Sequence, residues 1–384
     1  MDFTLTEAQE AVRQAAAAVF DGSATPERVR EVEATPERFD RVLWDQLARA
    51  DLLGVAVPAR HGGGGLGMVE LALVLAAQGR CVAPVPLWAT AVLGAQPLDR
   101  FGSDTLAGEL LAGVADGTVV LTAALADVAA DCAAGGPGRP AVRAERTGSG
   151  VRLTGRALAV PAAHVADAVL VPAALGDGVV VGVVDPTGPG VRLERAETTD
   201  RGVHPHLHLD DVFVDAERLL AEGDPGRGAE VLAWALDRAR VGLSALQLGV
   251  AEGALARTAA YLNERVQFGR PLATFQGVKL RAADAAIGTD VLRVTMLQAA
   301  WRLDAGLDAR RAVSVAAWFA RDTGQRVVHA TQHLHGGMGA DVDYPVHRYF
   351  LWGKQVELLL GSPGAELAAL GRQLVADVRA GALA

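Results

Sequence analysis

Near the start of the chain, apolar residues return every three or four positions, through Val12, Ala16, Val19 and Phe20. That is the spacing of one helix face. Thr6-Glu7-Ala8-Gln9, just ahead, reads as a capping box in which the threonine hydroxyl accepts from a first-turn N–H and Gln9 folds back. Thr35-Pro36-Glu37 is predicted to open a second helix that turns Phe39, Val42, Leu43 and Leu47 inward. Gly62-Gly63-Gly64-Gly65 then breaks the pattern before a third apolar helix from Met68 to about Gly79. From about residue 118 the texture changes to short β-branched runs, at Val119–Thr122, Val151–Thr154, Ala168–Val171 and Val179–Val184. Glycine, proline and aspartate separate them, as in an antiparallel barrel or sandwich. The stretch Ala133–Gly138 is expected to be a loop inside this unit. Beyond Gly226 helical spacing returns over 228–264, 274–305, 308–335 and 345–380, with breaks at Arg270-Pro271, Gly306 and Gly336-Gly337. Long helices with short joints predict a four-helix bundle. The expected class is therefore α+β, with an N-terminal helical domain over 1–117, a β domain over 118–222 and a C-terminal bundle over 223–384.

Composition narrows the function. The 384 residues are 51% hydrophobic, ample for a large core, and carry a formal charge of −9 with arginines scattered along the chain. Nucleic acid is not an expected partner, because phosphate binding needs clustered basic residues. Cys81 and Cys132 are too few for a disulfide framework and lack metal-ligand spacing. The acidic start, Met1-Asp2-Phe3-Thr4-Leu5-Thr6-Glu7, is unlike a secretory signal. No window approaches the roughly 20 apolar residues of a membrane helix. These features predict a soluble cytoplasmic protein. His329 and His333 stand at i, i+4, but Ala330-Thr331-Gln332 between them offers no glutamate for a zinc-protease motif. His204, His206 and His208 alternate along a predicted strand and are read as a partly solvated face. No metal is expected.

Two motifs carry chemistry. Arg265-Val266-Gln267-Phe268-Gly269-Arg270-Pro271-Leu272, followed by Phe275-Gln276, places an arginine at a helix end beside a glycine turn. A guanidinium there presents a fork of donors suited to a diphosphate. His333-Leu334-His335-Gly336-Gly337-Met338-Gly339 is a glycine loop of the kind that lets a main chain approach a phosphate. The first motif resembles the Arg-x-Gln-Phe-Gly signature of the acyl-CoA dehydrogenase family, and the second its Gln-x-x-Gly-Gly-x-Gly loop. The order of helices, small β domain and helical bundle also matches that family. The resemblance implies FAD as cofactor, with Arg265, Gln267, Phe268, Gln276, His333, Gly336 and Gly337 on the cofactor site of a neighbouring subunit. His333 stands where the family has a glutamine. Two other family segments have eroded, near Leu125–Asp131 and at Ala159-Val160-Pro161, where the family has a flavin-covering strand.

The C-terminal run Lys354-Gln355-Val356-Glu357-Leu358-Leu359-Leu360-Gly361-Ser362-Pro363 resembles the family's active-site segment, in which a glutamate precedes the Gly-Thr or Gly-Ser pair. Here Leu360 fills that place and takes up no proton. The alternative family position falls on Ala239, beside Arg240, and is equally inert; Asp237 and Glu357 are the nearby carboxylates. The chain most resembles the base-lacking β subunits of actinobacterial acyl-CoA dehydrogenases, which act as α2β2 heterotetramers on steroid side-chain CoA thioesters. Segments carrying this likeness include Met1-Asp2-Phe3-Thr4, Arg38-Phe39-Asp40, Gln298–Arg302 and Pro345–Leu351. It implies an acyl-CoA thioester substrate, a homologous base-bearing subunit and an electron-transfer flavoprotein or other acceptor. Two other readings stay open: a homo-oligomeric flavoenzyme with a relocated base, and a scaffold without turnover.

Overall fold

The computed structural model describes residues 3–136 and 138–381. Met1 and Asp2, which open one segment of the resemblance, and Pro137, in the expected loop, lie outside them. The chain divides into two compact units. One comprises Met1–Glu31, Ala72–Ala83 and Arg240–Ala384; the other comprises Val32–Leu71 and Pro84–Ala239.

The helices of the N-terminal third are α1 (Glu7–Ser23), α2 (Pro26–Glu33), α3 (Arg41–Arg49), α4 (Met68–Cys81), α5 (Gln96–Phe101) and α6 (Asp104–Asp116). The Thr6 hydroxyl accepts from the Gln9 N–H and the Gln9 side chain from the Thr6 N–H, the reciprocal box read from sequence. The helix expected to open at Thr35-Pro36 is α3, which starts later, and the short α2 ahead of it was not expected. Asp40 caps α3 by accepting from the Leu43 N–H at 3.2 Å, whereas the Thr35 hydroxyl donates back to the Val32 carbonyl at 2.8 Å. The Asp40 cap prevails over the Thr-Pro start. The later start points Val42 outward at 58% exposure, while Phe39, Leu43 and Leu47 are buried.

The second unit holds a seven-stranded sheet. Its strands are β1 (Leu121–Ala123), β2 (Arg143–Thr147), β3 (Gly150–Ala157), β4 (Ala168–Leu175), β5 (Gly178–Val184), β6 (Val191–Glu194) and β7 (His206–Asp215), in the order β1-β4-β2-β3-β7-β6 with β5 also on β4. The expectation of an all-antiparallel sheet is corrected, because β1 and β2 both pair parallel to β4. The connection from β1 runs through helix α7 (Ala126–Ala133) and the β2–β3 hairpin, long enough for the crossover a parallel pair requires. The stretch matched to an eroded family segment is thus largely helix. Ala159-Val160-Pro161, expected as strand, is a turn beyond the end of β3, with Ala159 at φ 46°. His206 and His208 each have a partner: the His206 ring accepts from the Ala159 N–H at 3.0 Å, and the His208 ring lies 2.7 Å from Glu194.

The remaining helices are α8 (Gly228–Glu264), α9 (Gln276–Asp304), α10 (Arg310–Leu334), α11 (Val346–Leu358) and α12 (Pro363–Arg379). The helix expected over 345–380 is in fact two. Leu360 at φ 58° and Gly361 at φ 140° break it, and Ser362 caps α12 with Pro363 in its first turn. Within the first unit, α4 and α8 cross at backbone contact distance. A Cβ on Gly249 would lie 1.9 Å from the Ala76 carbonyl oxygen, and one on Gly79 would lie 2.1 Å from that of Leu246. Glycine is what allows this crossing.

Candidate functional site

Helix α8 ends where the Arg265 N–H donates to the Tyr261 carbonyl at 2.8 Å, and a tight hairpin follows. Its strands are β8 (Val266–Gln267) and β9 (Arg270–Pro271), turned by Phe268 at φ 54° and Gly269 at φ 78°. The Leu272 N–H closes the hairpin onto the Arg265 carbonyl at 2.9 Å. What the hairpin displays is unusual for a folded chain. Phe268 is 90% exposed, and its ring meets Phe275 edge-on, with centroids 6.1 Å apart. Arg270 lies 4.1 Å over that same Phe275 ring. Arg265 is exposed and, among the described residues, its guanidinium has no hydrogen-bond or ion-pair partner. Gln267 is exposed and bonds its own neighbour, the Val266 carbonyl, at 3.0 Å. Gln276 opens α9, also exposed.

A cluster of three rings joins this helix end to the glycine loop. Tyr261 stacks on His335 at 4.5 Å between centroids, and Tyr344 lies 5.3 Å from His335 and 6.2 Å from Tyr261. His335 Nδ1–H donates to the Thr331 carbonyl at 2.8 Å, leaving Nε2 to face the Tyr344 hydroxyl at 3.4 Å. Burial pushes the His335 imidazole below its ordinary pKa, against the opposing pull of the Thr331 bond. A neutral ring fits the stack. Gly336, at φ 59°, and Gly337 follow at the surface, where a Cβ added to either would meet nothing within 4 Å. His333 is exposed one turn back. The Tyr261–His335 stack links the helix turn that ends at Arg265 to the loop that opens with Gly336 and Gly337. An unpaired guanidinium, a bare aromatic ring and an open glycine main chain are chemically suited to a diphosphate with an attached aromatic base.

The turn carrying Leu360 lies elsewhere in the same unit. Leu360 is 7% exposed, and its left-handed backbone costs on the order of 1–3 kcal/mol. Glu357 ends in an ion pair with Lys354. Asp237 and Ala239 belong to the other unit's share of α8, with Ala239 fully buried. Sequence reasoning passed over a third carboxylate, Glu366, buried in the first turn of α12. Its Oε1 lies 3.1 Å from Arg240 Nε and 3.4 Å from Arg321 Nη1. An acid beside the Ser362-Pro363 helix start reads as a first-turn surface charge, and nothing local reveals its two distant partners. Among the described residues no three His, Cys, Asp or Glu side chains gather as metal ligands. No helix among them is long and apolar enough to cross a membrane.

Residues 6–118 match the acyl-CoA dehydrogenase N-terminal domain model, and residues 226–375 match the acyl-CoA dehydrogenase C-terminal domain model. The chain is 40% identical to acyl-CoA dehydrogenase FadE27 of Mycobacterium tuberculosis, over 97% of this chain and 99% of that one. Among solved structures it is similar to a chain of the Tcur3481-Tcur3483 steroid ACAD, at 44% identity and TM-score 0.89, covering 98% and 100% of the two chains. It is likewise similar to a chain of the ChsE4-ChsE5 complex from Mycobacterium tuberculosis, at 40% identity and TM-score 0.90, covering 98% and 99%. End-to-end identity of this order, carried on the same fold, shows that the chain belongs to the acyl-CoA dehydrogenase family, FAD-binding oxidoreductases that act on CH–CH bonds.

Proposed function

We propose that this chain is the base-lacking subunit of a FAD-dependent acyl-CoA dehydrogenase, and that it completes the cofactor site of a related, base-bearing subunit. The observation that carries the reading is the identity and setting of residue 360. A buried leucine in a left-handed turn stands where the family has its proton acceptor, and the carboxylates nearest it in sequence are already engaged. Glu357 is paired with Lys354, and Glu366 Oε1 faces two guanidiniums. The unpaired Arg265, the exposed Phe268 and the open Gly336-Gly337 main chain support the other half of the proposal. They would hold the diphosphate and adenine ends of FAD belonging to the partner, with Gln267, Gln276 and His333 flanking them. Bound there, FAD supplies the acceptor for the hydride leaving Cβ of the acyl thioester. The proton leaving Cα goes to the partner's carboxylate, a contribution of about 10²–10⁴-fold or more.

Similarity to chains of two-component complexes, one named a steroid ACAD, favours an α2β2 assembly acting on steroid side-chain CoA thioesters. Electrons would pass on to an electron-transfer flavoprotein or a comparable acceptor. The test is co-expression with candidate family members that carry a glutamate before their Gly-Thr or Gly-Ser pair. The reading requires co-purification, flavin bound by the pair in excess of either chain alone, and acyl-CoA-dependent dye reduction by the pair. Full flavin occupancy and turnover by this chain alone would support the relocated-base reading instead.

A further inference from the structure

Helix α9 is apolar on two sides, and the chain itself covers only one of them. Leu292, Met296, Ala299 and Ala300 are buried within the first unit. On the opposite side Leu280, Ile287, Val294 and Trp301 are between 42% and 63% exposed. Ala283, exposed, and Leu297, half-buried, fall among them, so apolar residues recur at alternating steps of three and four. That is the seam of a helix that packs lengthwise on another helix. A helix apolar all round is ordinarily covered all round. One position breaks the seam. Asp290 stands where the spacing calls for an apolar residue, and its side chain is 69% exposed.

The chain neutralises this acid only in part. Arg293 pairs with Asp290 and also lies 2.9 Å from Glu252, so one guanidinium serves two carboxylates. Asp290 is also the middle residue of α9. When two copies pair along the full helix about a twofold axis, middle residue meets middle residue, in parallel and antiparallel arrangements alike. A second copy would therefore set Asp290 against Asp290 within an apolar seam, and like charges brought together in an interface repel. A basic residue there would instead meet an acid whose own guanidinium is shared. The seam favours an unlike chain. Its surroundings indicate which one. A groove of about 750 Å³ runs beside it, with Asp284 and Ile287 on the α9 wall and His329 and His333 on the α10 wall. His333 lies one turn before Gly336, so the groove is continuous with the surface proposed to meet the partner's FAD.

We infer that the outer face of α9 docks a helix of the base-bearing subunit, with a lysine or arginine of that subunit opposite Asp290, and that Asp290 keeps this chain from pairing with a second copy of itself. The inference rests on the proposed function for the identity of the partner, but not for the exclusion of a second copy. Sedimentation velocity of the full chain alone reads self-association, and titration with the co-purifying base-bearing subunit reads the heteromeric contact. Relief of the like-charge contact predicts that Asp290→Leu tightens self-association roughly tenfold or more, and that wild type mixed with Asp290→Arg associates more tightly than either chain alone. Reversal of the charge predicts that Asp290→Arg weakens binding of the base-bearing subunit roughly tenfold or more. Ile287→Asp weakens the same binding, and is the second variant should Asp290→Arg lose stability in urea. Unchanged self-association for both Asp290→Leu and the mixture overturns the inference, as does wild-type self-association that Ile287→Asp abolishes. So does binding of the base-bearing subunit that neither Asp290→Arg nor Ile287→Asp weakens. Turnover by the isolated chain would sink the base-lacking reading and leave the self-association results standing, so the two failures are distinguishable.

Discussion

Replacing Arg265 with alanine separates cofactor binding from folding, because of how this side chain sits. Its backbone closes the hairpin through the Tyr261 and Leu272 bonds, and any residue can make those. Its guanidinium is exposed and has no partner among the described residues. Removing it should therefore change unfolding free energy by no more than about 0.5 kcal/mol, the range for surface substitutions. If it binds a partner's FAD diphosphate, the loss is that of charge-assisted hydrogen bonds, about 1.5–3 kcal/mol, or roughly 10- to 150-fold in affinity. The assay is titration of FAD into the deflavinated complex, followed by flavin fluorescence, beside urea unfolding of the single chain. Arg265→Lys should recover the charge but not the fork, and so fall between wild type and alanine. Wild-type FAD affinity in the alanine variant, with assembly intact, would refute the assignment. A matching loss of stability would show instead that the arginine is structural.

Other outcomes follow from the same physics. Leu360→Glu should raise turnover of the isolated chain by less than about tenfold, against the 10²–10⁴ a working base contributes. It should also cost about 2–3 kcal/mol in urea unfolding, from lost leucine burial alone. Gly249→Ala should destabilise by about 1–3 kcal/mol on the same measurement, because its methyl group collides with the Ala76 carbonyl where α4 and α8 cross. Burial, with help from Asp21, pushes the Cys81 thiol up to about 12. Native protein treated with iodoacetamide at pH 8 should therefore leave Cys81 unmodified, as mass spectrometry would show, and modify it once unfolded.

Local signals were legible in the sequence. The Thr6–Gln9 box, the β-branched runs of β3, β4 and β5, and the extent of α8 depend on neighbours within a few positions. So did the glycines of the Gly336-Gly337 loop and the identity of residue 360. Features set by distant partners were not legible. The parallel pairing of β1 with β4 is chosen by the crossover between them rather than by either strand's pattern. The break between α11 and α12 was signalled by Ser362-Pro363, a cap followed by a first-turn proline, but the apolar spacing on both sides concealed it. Glu366 was hidden most completely, because its Arg240 partner lies 126 residues earlier in the chain. The start of α3 was misplaced because two caps competed, and only the folded chain shows that Asp40 prevails over Thr35.

The central claim is that no carboxylate of this polypeptide removes the proton from Cα. The direct measurement is single-turnover bleaching of flavin by acyl-CoA, using this chain alone reconstituted with excess FAD and the same chain paired with its base-bearing relative. The account predicts rapid bleaching by the pair, its loss when the relative's glutamate becomes glutamine, and none above free flavin for the single chain. Rapid bleaching by the single chain would contradict it.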